Sequence, residues 1–207
     1  WRNYDYEVGP FLDGTAIRDN EPLYGAKSTT VDLRTSGDAT TDDLKILYWR
    51  EFAKHFREKR WFDRLFNYVW DEPRPEDYDK VKSKAGLVRS ADPEIRNLVT
   101  APMRGDWRNV IDIWSPVINC FESRPGFPPF CNPMAERSEY DDDLQGGKSL
   151  WWYQSCASHG CYVVGGKYFS GWPSYMIDVY PVANRIMQWV TWKMGVQGEL
   201  YFSMNEA

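Results

Sequence analysis

The stretch 67-NYVWDEPRPEDY-78 decides how the fold of this sequence is interpreted, because an apolar run ends abruptly inside it. Leu65 to Trp70 has the composition of a short strand, and two adjacent carboxylates, Asp71 and Glu72, follow it directly, with Pro73 behind them. A strand that is buried on both faces has little reason to end in two acids unless they reach a polar cavity. The local sequence is equally compatible with a solvated turn.

Four further apolar runs downstream also have the composition of short strands, and helical patterns or long loops separate them. They lie within residues 94–102, 108–116, 148–156 and 198–205. Helical periodicity marks residues 42–60 and 182–194. Short buried strands that alternate with helices or loops predict parallel βα units, whose carboxyl ends meet on one side.

This pattern predicts the α/β class, and more specifically the C-terminal portion of a (β/α)8 TIM-type barrel. About five parallel strands are recognisable, whereas a closed barrel has eight and usually needs about 250 residues. We therefore expect the remaining strands to come from outside this chain, in the same protein or in another one. Residues 1–41 show no sustained period and are predicted to be an irregular arm that holds at most part of one strand, while 42–207 form the barrel portion.

Composition excludes several classes of function. The 207 residues carry a formal net charge of −5, and no basic stripe is present, which argues against binding to nucleic acid. With 43% apolar residues the chain is globular, and no apolar run approaches the ~20 residues of a membrane span.

Four cysteines, Cys120, Cys131, Cys156 and Cys161, stand at short spacings. An even count of this kind fits two local disulfides, 120–131 and 156–161, in an exported protein, so we expect a secreted or periplasmic location. Four reduced thiols in a cytosolic chain are the alternative. The chain has only two histidines and no second cysteine pair at zinc spacing, so we expect neither a metal nor another cofactor.

Adjacent acids at a strand end suit glycoside hydrolysis, in which one carboxyl group donates a proton and another carboxylate supports positive charge. A sugar pocket would be completed by aromatic and hydrogen-bonding residues near the other strand ends. One charged residue in an apolar helix face would add to it. These candidates for substrate binding are Asp112, Trp114, Trp151, Trp152, Tyr153, Arg185 and Tyr201. Each aromatic ring is alternatively a core residue, and Arg185 alternatively forms a structural ion pair.

Five motifs in chain order resemble the catalytic domain of glycoside hydrolase family 123 and the wider bacterial group that shares its barrel. They are 68-YVWDEP-73, 110-VIDIWSP-116, 150-LWWYQSC-156, 185-RIMQW-189 and 195-GVQGELY-201. The resemblance covers roughly residues 42–207. It implies a retaining β-N-acetylgalactosaminidase with a (β/α)8 barrel, in which the 2-acetamido oxygen of the substrate attacks the anomeric carbon.

The resemblance also implies roles for individual residues. Asp71 would orient the acetamido group and stabilise the oxazolinium-like intermediate, and Glu72 would protonate the leaving oxygen and then activate water. Tyr153 and Tyr201 would bind the acetamide or the sugar hydroxyls, with the tryptophans as walls and floor. The expected partners are thus a glycan that contains N-acetylhexosamine and the remainder of the barrel.

Two other functions stay open from the sequence. One is a non-catalytic carbohydrate-binding protein built on the same barrel. The other is a structural or assembly module, in which the aromatic residues form an interface with a partner.

Overall fold

The computed structural model describes residues 1–122, 134–155, 172–176 and 180–201. The strands are β1 (Val31–Asp32), β2 (Leu65–Trp70), β3 (Arg96–Val99), β4 (Ile113–Trp114), β5 (Ser149–Gln154) and β6 (Gly198–Tyr201). The α-helices are α1 (Arg2–Glu7), α2 (Gly9–Asp13), α3 (Asp42–Glu58), α4 (Tyr78–Ala91), α5 (Asp141–Gln145) and α6 (Pro181–Met194). Short 3-10 turns cover Phe62–Arg64, Pro75–Asp77, Gly105–Trp107, Ile118–Cys120 and Arg137–Tyr140.

The strands follow one another through the sheet in chain order, from β1 to β6. The pairs β1–β2, β3–β4, β4–β5 and β5–β6 are parallel, with Val31 opposite Leu65 and Trp151 opposite Gly198. A sequential parallel order is the strand order of a TIM-type barrel, and the predicted fold class is confirmed. The five predicted strands correspond to β2 through β6, and β1 adds a sixth from within the 1–41 region.

The chain divides into two compact units. Unit 1 comprises residues 1–67 and 87–96, and its core forms where the apolar stripe of α3 meets α1, the start of β2 and the end of α4. Thr41 caps α3 by accepting a hydrogen bond from the amide of Leu44. Phe52 and Phe56, one turn apart on α3, stack on each other at the centre of this core.

Unit 2 comprises residues 68–86 and 97–207 and contains all the candidate site residues. Its core packs Val81 and Ala85 of α4 and Met187 of α6 against buried side chains of the strands. Trp107, Trp114 and Trp152, three of the eleven tryptophans of the sequence, are its largest fully buried rings among the described residues.

Two predicted irregular regions contain helices. Within residues 1–41 the structure has α1, α2 and β1. The charged, Pro- and Gly-rich composition of residues 122–147 predicts a loop, and the structure has α5 within that range. Helices of five or six residues are too short to show a hydrophobic period, and tertiary contacts hold them in place. Tyr4 of α1, for example, packs edge-on against Phe52. The predicted division of the chain after residue 41 stays a prediction.

Cys120 is disulfide-bonded. The other three cysteines lie outside the described residues, and both predicted pairings therefore stay predictions. Among the helices of the described ranges, none combines the length and the apolar character that a membrane span requires.

Candidate active site

The acid pair lies where β2 ends, at the carboxyl edge of the parallel sheet. Asp71 and Glu72 follow Trp70 directly, and both are exposed. Glu72 has a φ of 44°, in the left-handed region that side chains with a Cβ rarely adopt. The chain therefore turns at Glu72, directly after the strand ends.

Thr100, the residue after β3, contacts both members of the pair. Its hydroxyl accepts a hydrogen bond from the Glu72 amide at 2.7 Å and lies 3.0 Å from Oδ1 of Asp71. Thr100 is buried, with 4% of its surface exposed. Because the parallel strands place their carboxyl ends side by side, the tip of β3 supports the tip of β2.

Tyr68 supplies a phenol to the first acid. Its hydroxyl donates to Oδ1 of Asp71 at 2.7 Å and lies 3.3 Å from Oγ1 of Thr100. Partial burial is the largest cause that raises the pKa of Tyr68 above its usual 10.0, and the neighbouring Asp71 raises it further. Tyr68 consequently keeps its proton and remains a donor to Asp71 at neutral pH.

Tyr153 of β5 supplies a phenol to the second acid. Its hydroxyl donates to Oε1 of Glu72, and its ring is buried beside Val117 and Leu200. Burial, followed by the hydrogen bond to Glu72, raises the pKa of Tyr153 well above its usual value. This predicted site residue is thus in direct contact with the predicted acid, although 81 positions separate them in the sequence.

Each carboxylate therefore has one oxygen held by a tyrosine. Within the described residues, Oδ2 of Asp71 and Oε2 of Glu72 receive no hydrogen bond, so both are available to a ligand. Two exposed carboxylates with one fixed oxygen each can orient a polar ligand group and exchange a proton with it.

Asp112, a predicted substrate-binding residue, lies at the opposite edge of the sheet from the acid pair. It precedes β4, at the amino edge of the sheet, and its carboxylate accepts a hydrogen bond from the Asn97 amide at 2.8 Å. Its backbone carbonyl accepts from Ser149 at 2.9 Å. Asp112 therefore joins the beginnings of β3 and β5, and the structure does not bring it to the acid pair.

Trp114 and Trp152 lie in the core of unit 2 rather than on a surface. They are 1% and 0% exposed, and the indole of Trp114 donates to Oδ2 of Asp143 at 2.8 Å. Strand alternation turns both rings away from the face that carries Tyr153. Neither ring has an exposed face in this structure, and their predicted role in substrate binding stays a prediction.

Trp151 lies on the same strand face as Tyr153, two residues earlier. Its ring covers Gly198 of β6 so closely that a Cβ built on Gly198 would lie 2.5 Å from it. The ring is half-buried and sits one layer below the acid pair along the strand.

The last two candidates differ in position. Arg185 is exposed on α6. Tyr201 closes β6 opposite Gln154, and its ring meets that of Tyr175 edge-on at 5.8 Å. Tyr153 is the predicted substrate-binding residue for which the described part of the chain shows a hydrogen bond to the acid pair.

Sequence reasoning missed Tyr68 and Thr100. Tyr68 is hidden inside the apolar run of β2, and Thr100 ends the next strand without any motif around it. The available signal was positional, because parallel strands that neighbour each other in the chain end at the same edge of the sheet.

Among the described residues, no group of three or more histidine, cysteine, aspartate or glutamate side chains is arranged to hold a metal ion. The Asp71–Glu72 pair is held by neutral hydroxyl groups.

Sequential parallel strands with a carboxylate pair at their carboxyl ends define a protein of the (β/α)-barrel type. The family model described as "Glycoside hydrolase 123, catalytic domain" matches residues 24–206, and the chain belongs to that family. No curated protein sequence matches it. A solved family 123 glycoside hydrolase from Clostridium perfringens, described as acting in glycolipid glycan hydrolysis, is similar over 78% of this chain. The identity is 15%, the TM-score is 0.48, and the match spans 25% of the Clostridium protein.

Proposed function

We propose that this protein is a glycoside hydrolase, specifically a retaining β-N-acetylhexosaminidase of the β-N-acetylgalactosaminidase type that uses substrate-assisted catalysis. The observation that carries the proposal is the exposed Asp71–Glu72 pair at the carboxyl end of β2, in a chain of glycoside hydrolase family 123. Each acid keeps one oxygen available beside an oxygen held by a tyrosine.

In the first step, the 2-acetamido oxygen of the substrate attacks the anomeric carbon and forms the bond that closes an oxazolinium-like ring. The glycosidic C–O bond breaks, and its electron pair leaves with the oxygen, which takes a proton from Glu72. Asp71 orients the acetamido group and stabilises the positive charge that develops on it. No enzyme nucleophile is required, so the carboxylate spacing of other retaining glycosidases does not apply.

In the second step, water attacks the anomeric carbon from the face that the leaving group vacated. Glu72, now ionised, accepts a proton from this water, and the C–O bond to the acetamido oxygen breaks. The second displacement restores the original configuration at the anomeric carbon. In this scheme Tyr153 keeps the Glu72 side chain directed at the scissile bond, because its hydroxyl holds Oε1.

The proposed partners are a glycan that contains N-acetylhexosamine and the remaining strands of the barrel, from the same or another chain. The proposed location is secreted or periplasmic, with the disulfide at Cys120 as support.

The role of Glu72 as general acid can be tested with leaving groups of different acidity. We expect Glu72→Gln to lower kcat/KM by about 10²–10⁴-fold on aryl N-acetylhexosaminides with poor leaving groups. The loss should be much smaller for a dinitrophenyl leaving group, which departs without a proton. Asp71→Asn should slow both substrates, since its role is at the acetamido group.

Glu76 offers a matched control, because it is an exposed glutamate in the turn that follows the pair. Glu76→Gln should retain the wild-type rates. If the wild type hydrolyses these substrates and Glu72→Gln does so at the same rate, Glu72 is not the general acid. Glycan binding without hydrolysis would favour the carbohydrate-binding alternative.

A further inference from the structure

We propose that Thr100 is the positioning residue that sets the geometry of the acid pair, by holding Glu72 in its left-handed backbone conformation and fixing Oδ1 of Asp71. The catalytic consequence of this inference rests on the proposed function. The positioning itself does not, and a readout that needs no substrate can test it.

The hydroxyl of Thr100 has one proton and two lone pairs to distribute. The Glu72 amide donates to it at 2.7 Å, which uses one lone pair. Its own proton has two acceptors within reach, Oδ1 of Asp71 at 3.0 Å and the carbonyl of Trp70 at 3.3 Å. The carboxylate is nearer and charged, so it takes the proton. One buried hydroxyl thus contacts the backbone of one acid and the side chain of the other.

Tyr68 completes this arrangement on the side of Asp71. Its phenol has one proton, and Oδ1 of Asp71 at 2.7 Å is nearer than Oγ1 of Thr100 at 3.3 Å. Oδ1 therefore receives two hydroxyl donors, which leaves Oδ2 as the oxygen that faces a ligand. Thr100 and Tyr68 together select which oxygen of Asp71 is presented.

The backbone of Glu72 requires support of this kind. A residue other than glycine in the left-handed region costs on the order of 1–3 kcal/mol, and such strain persists only where surrounding contacts determine it. Glu72, with its φ of 44°, lies in the turn that comes directly after β2. The hydrogen bond from the Glu72 amide to Thr100 is the contact at this position that reaches across to β3.

Removing the Thr100 hydroxyl should therefore affect both acids at once. In the full protein, Thr100→Val keeps the shape of the side chain and removes the hydroxyl, while Thr100→Ser keeps the hydroxyl. We expect Thr100→Val to lower kcat by about 10²-fold with a much smaller change in KM, because misplaced groups bind substrate but react slowly. Thr100→Ser should recover most of the rate.

A suitable control is Thr191 of α6, whose hydroxyl donates to the backbone carbonyl of Met187 at 2.9 Å. Thr191→Val removes a comparable structural hydrogen bond and should leave kcat unchanged. A general loss of packing would affect the two valine variants alike, whereas a positioning role affects only the one at Thr100.

The decisive readout without substrate is hydrogen exchange at the Glu72 amide. We expect protection in the wild type and in Thr100→Ser, and its loss in Thr100→Val and in Thr100→Ala, which serves as a second variant. Equal protection in all four proteins would overturn the inference. If the wild type hydrolysed no glycoside while the amide pattern appeared as expected, the proposed function would fail and the positioning would stand.

Discussion

Tyr153 is the residue that most directly couples the sheet to the acid pair, because its hydroxyl donates to Glu72 from β5. We expect Tyr153→Phe to lower kcat/KM by about 10- to 10²-fold, the usual worth of one hydrogen bond to a charged group. Burial and Glu72 raise the pKa of Tyr153, so the phenol keeps its proton through neutral pH. The loss of kcat/KM in Tyr153→Phe should therefore be the same across the neutral pH range. Steady-state kinetics across neutral pH measures this.

Tyr175→Phe is the matched control for this prediction. Its hydroxyl donates to Glu199 at 3.0 Å, so the variant removes a phenol–carboxylate bond away from the acid pair. An equal loss of activity in both variants, or none in Tyr153→Phe, would contradict the role assigned to Tyr153.

Gly198 makes a second prediction at the residue scale, one of stability. A Cβ at this position would lie 2.5 Å from the Trp151 ring, whereas one at Gly86 of α4 meets no atom within 4 Å. We expect Gly198→Ala to cost about 1–3 kcal/mol through overpacking. Gly86→Ala should be neutral or stabilising, since alanine favours a helix.

Urea unfolding of the two alanine variants measures the difference. Equal free energies of unfolding would mean that Trp151 does not lie across Gly198.

At the level of single residues, the sequence indicates members of the candidate site only where their chemistry shows in it. Asp71 and Glu72 stand out because two acids interrupt an apolar run. The burial of Trp114 and Trp152 could not be predicted, because a strand pattern does not reveal which face of the sheet meets the helices when both faces are apolar. Thr100 carries no charge that would mark it.

At the scale of elements, Arg57 of α3 ties this helix to the turn that follows α4. Its guanidinium forms a double hydrogen bond with the Asp92 carboxylate. Hydrogen bonding to Arg57 is the largest cause that lowers the pKa of Asp92 below its usual 3.8. Because the folded pKa is depressed, the stabilisation is complete above 3.8 and is lost as the pH falls through the folded value.

We therefore expect Asp92→Asn to lower the free energy of unfolding near neutral pH by about 1–3 kcal/mol. The difference from wild type should shrink in acid, below the usual Asp value. Glu94→Gln, at a second and more exposed partner of Arg57, should have a smaller effect. Denaturant unfolding at both pH values tests this, and a difference that grew in acid would contradict it.

The longer elements were predictable because their patterns extend over enough residues. The apolar stripe of α3 and the apolar run of α6 each extend over several helical turns. The strands are recognisable because turn-forming or charged residues mark their ends. The helices α1, α2 and α5 could not be predicted, because five or six residues are too few to display a helical period. Their positions depend on tertiary contacts that sequence patterns do not contain.

At the scale of the whole molecule, the described residues form six strands in sequential parallel order, and β1 and β6 are the terminal strands of the sheet in this part of the chain. On α6 several large apolar side chains are exposed, among them Ile186 at 43%, Trp189 at 69% and Trp192 at 79%. Exposed apolar surface and strand edges promote association.

We expect the 207-residue chain by itself to self-associate and to bind a hydrophobic dye. The double variant Trp189→Lys, Trp192→Lys should reduce both effects. Light scattering with dye fluorescence measures them. A monodisperse monomer without dye binding would contradict the proposal that further strands complete this barrel.

The most direct test of the central claim is hydrolysis of a panel of aryl glycosides by the complete protein. The panel compares β-N-acetylgalactosaminide and β-N-acetylglucosaminide with β-galactoside and β-glucoside, with Glu72→Gln as the control. We predict cleavage confined to the acetamido sugars and lost in the variant, because the acetamido oxygen is the nucleophile. Cleavage of sugars that lack the acetamido group would contradict substrate assistance, and cleavage that persists in Glu72→Gln would contradict the acid pair as its catalytic centre.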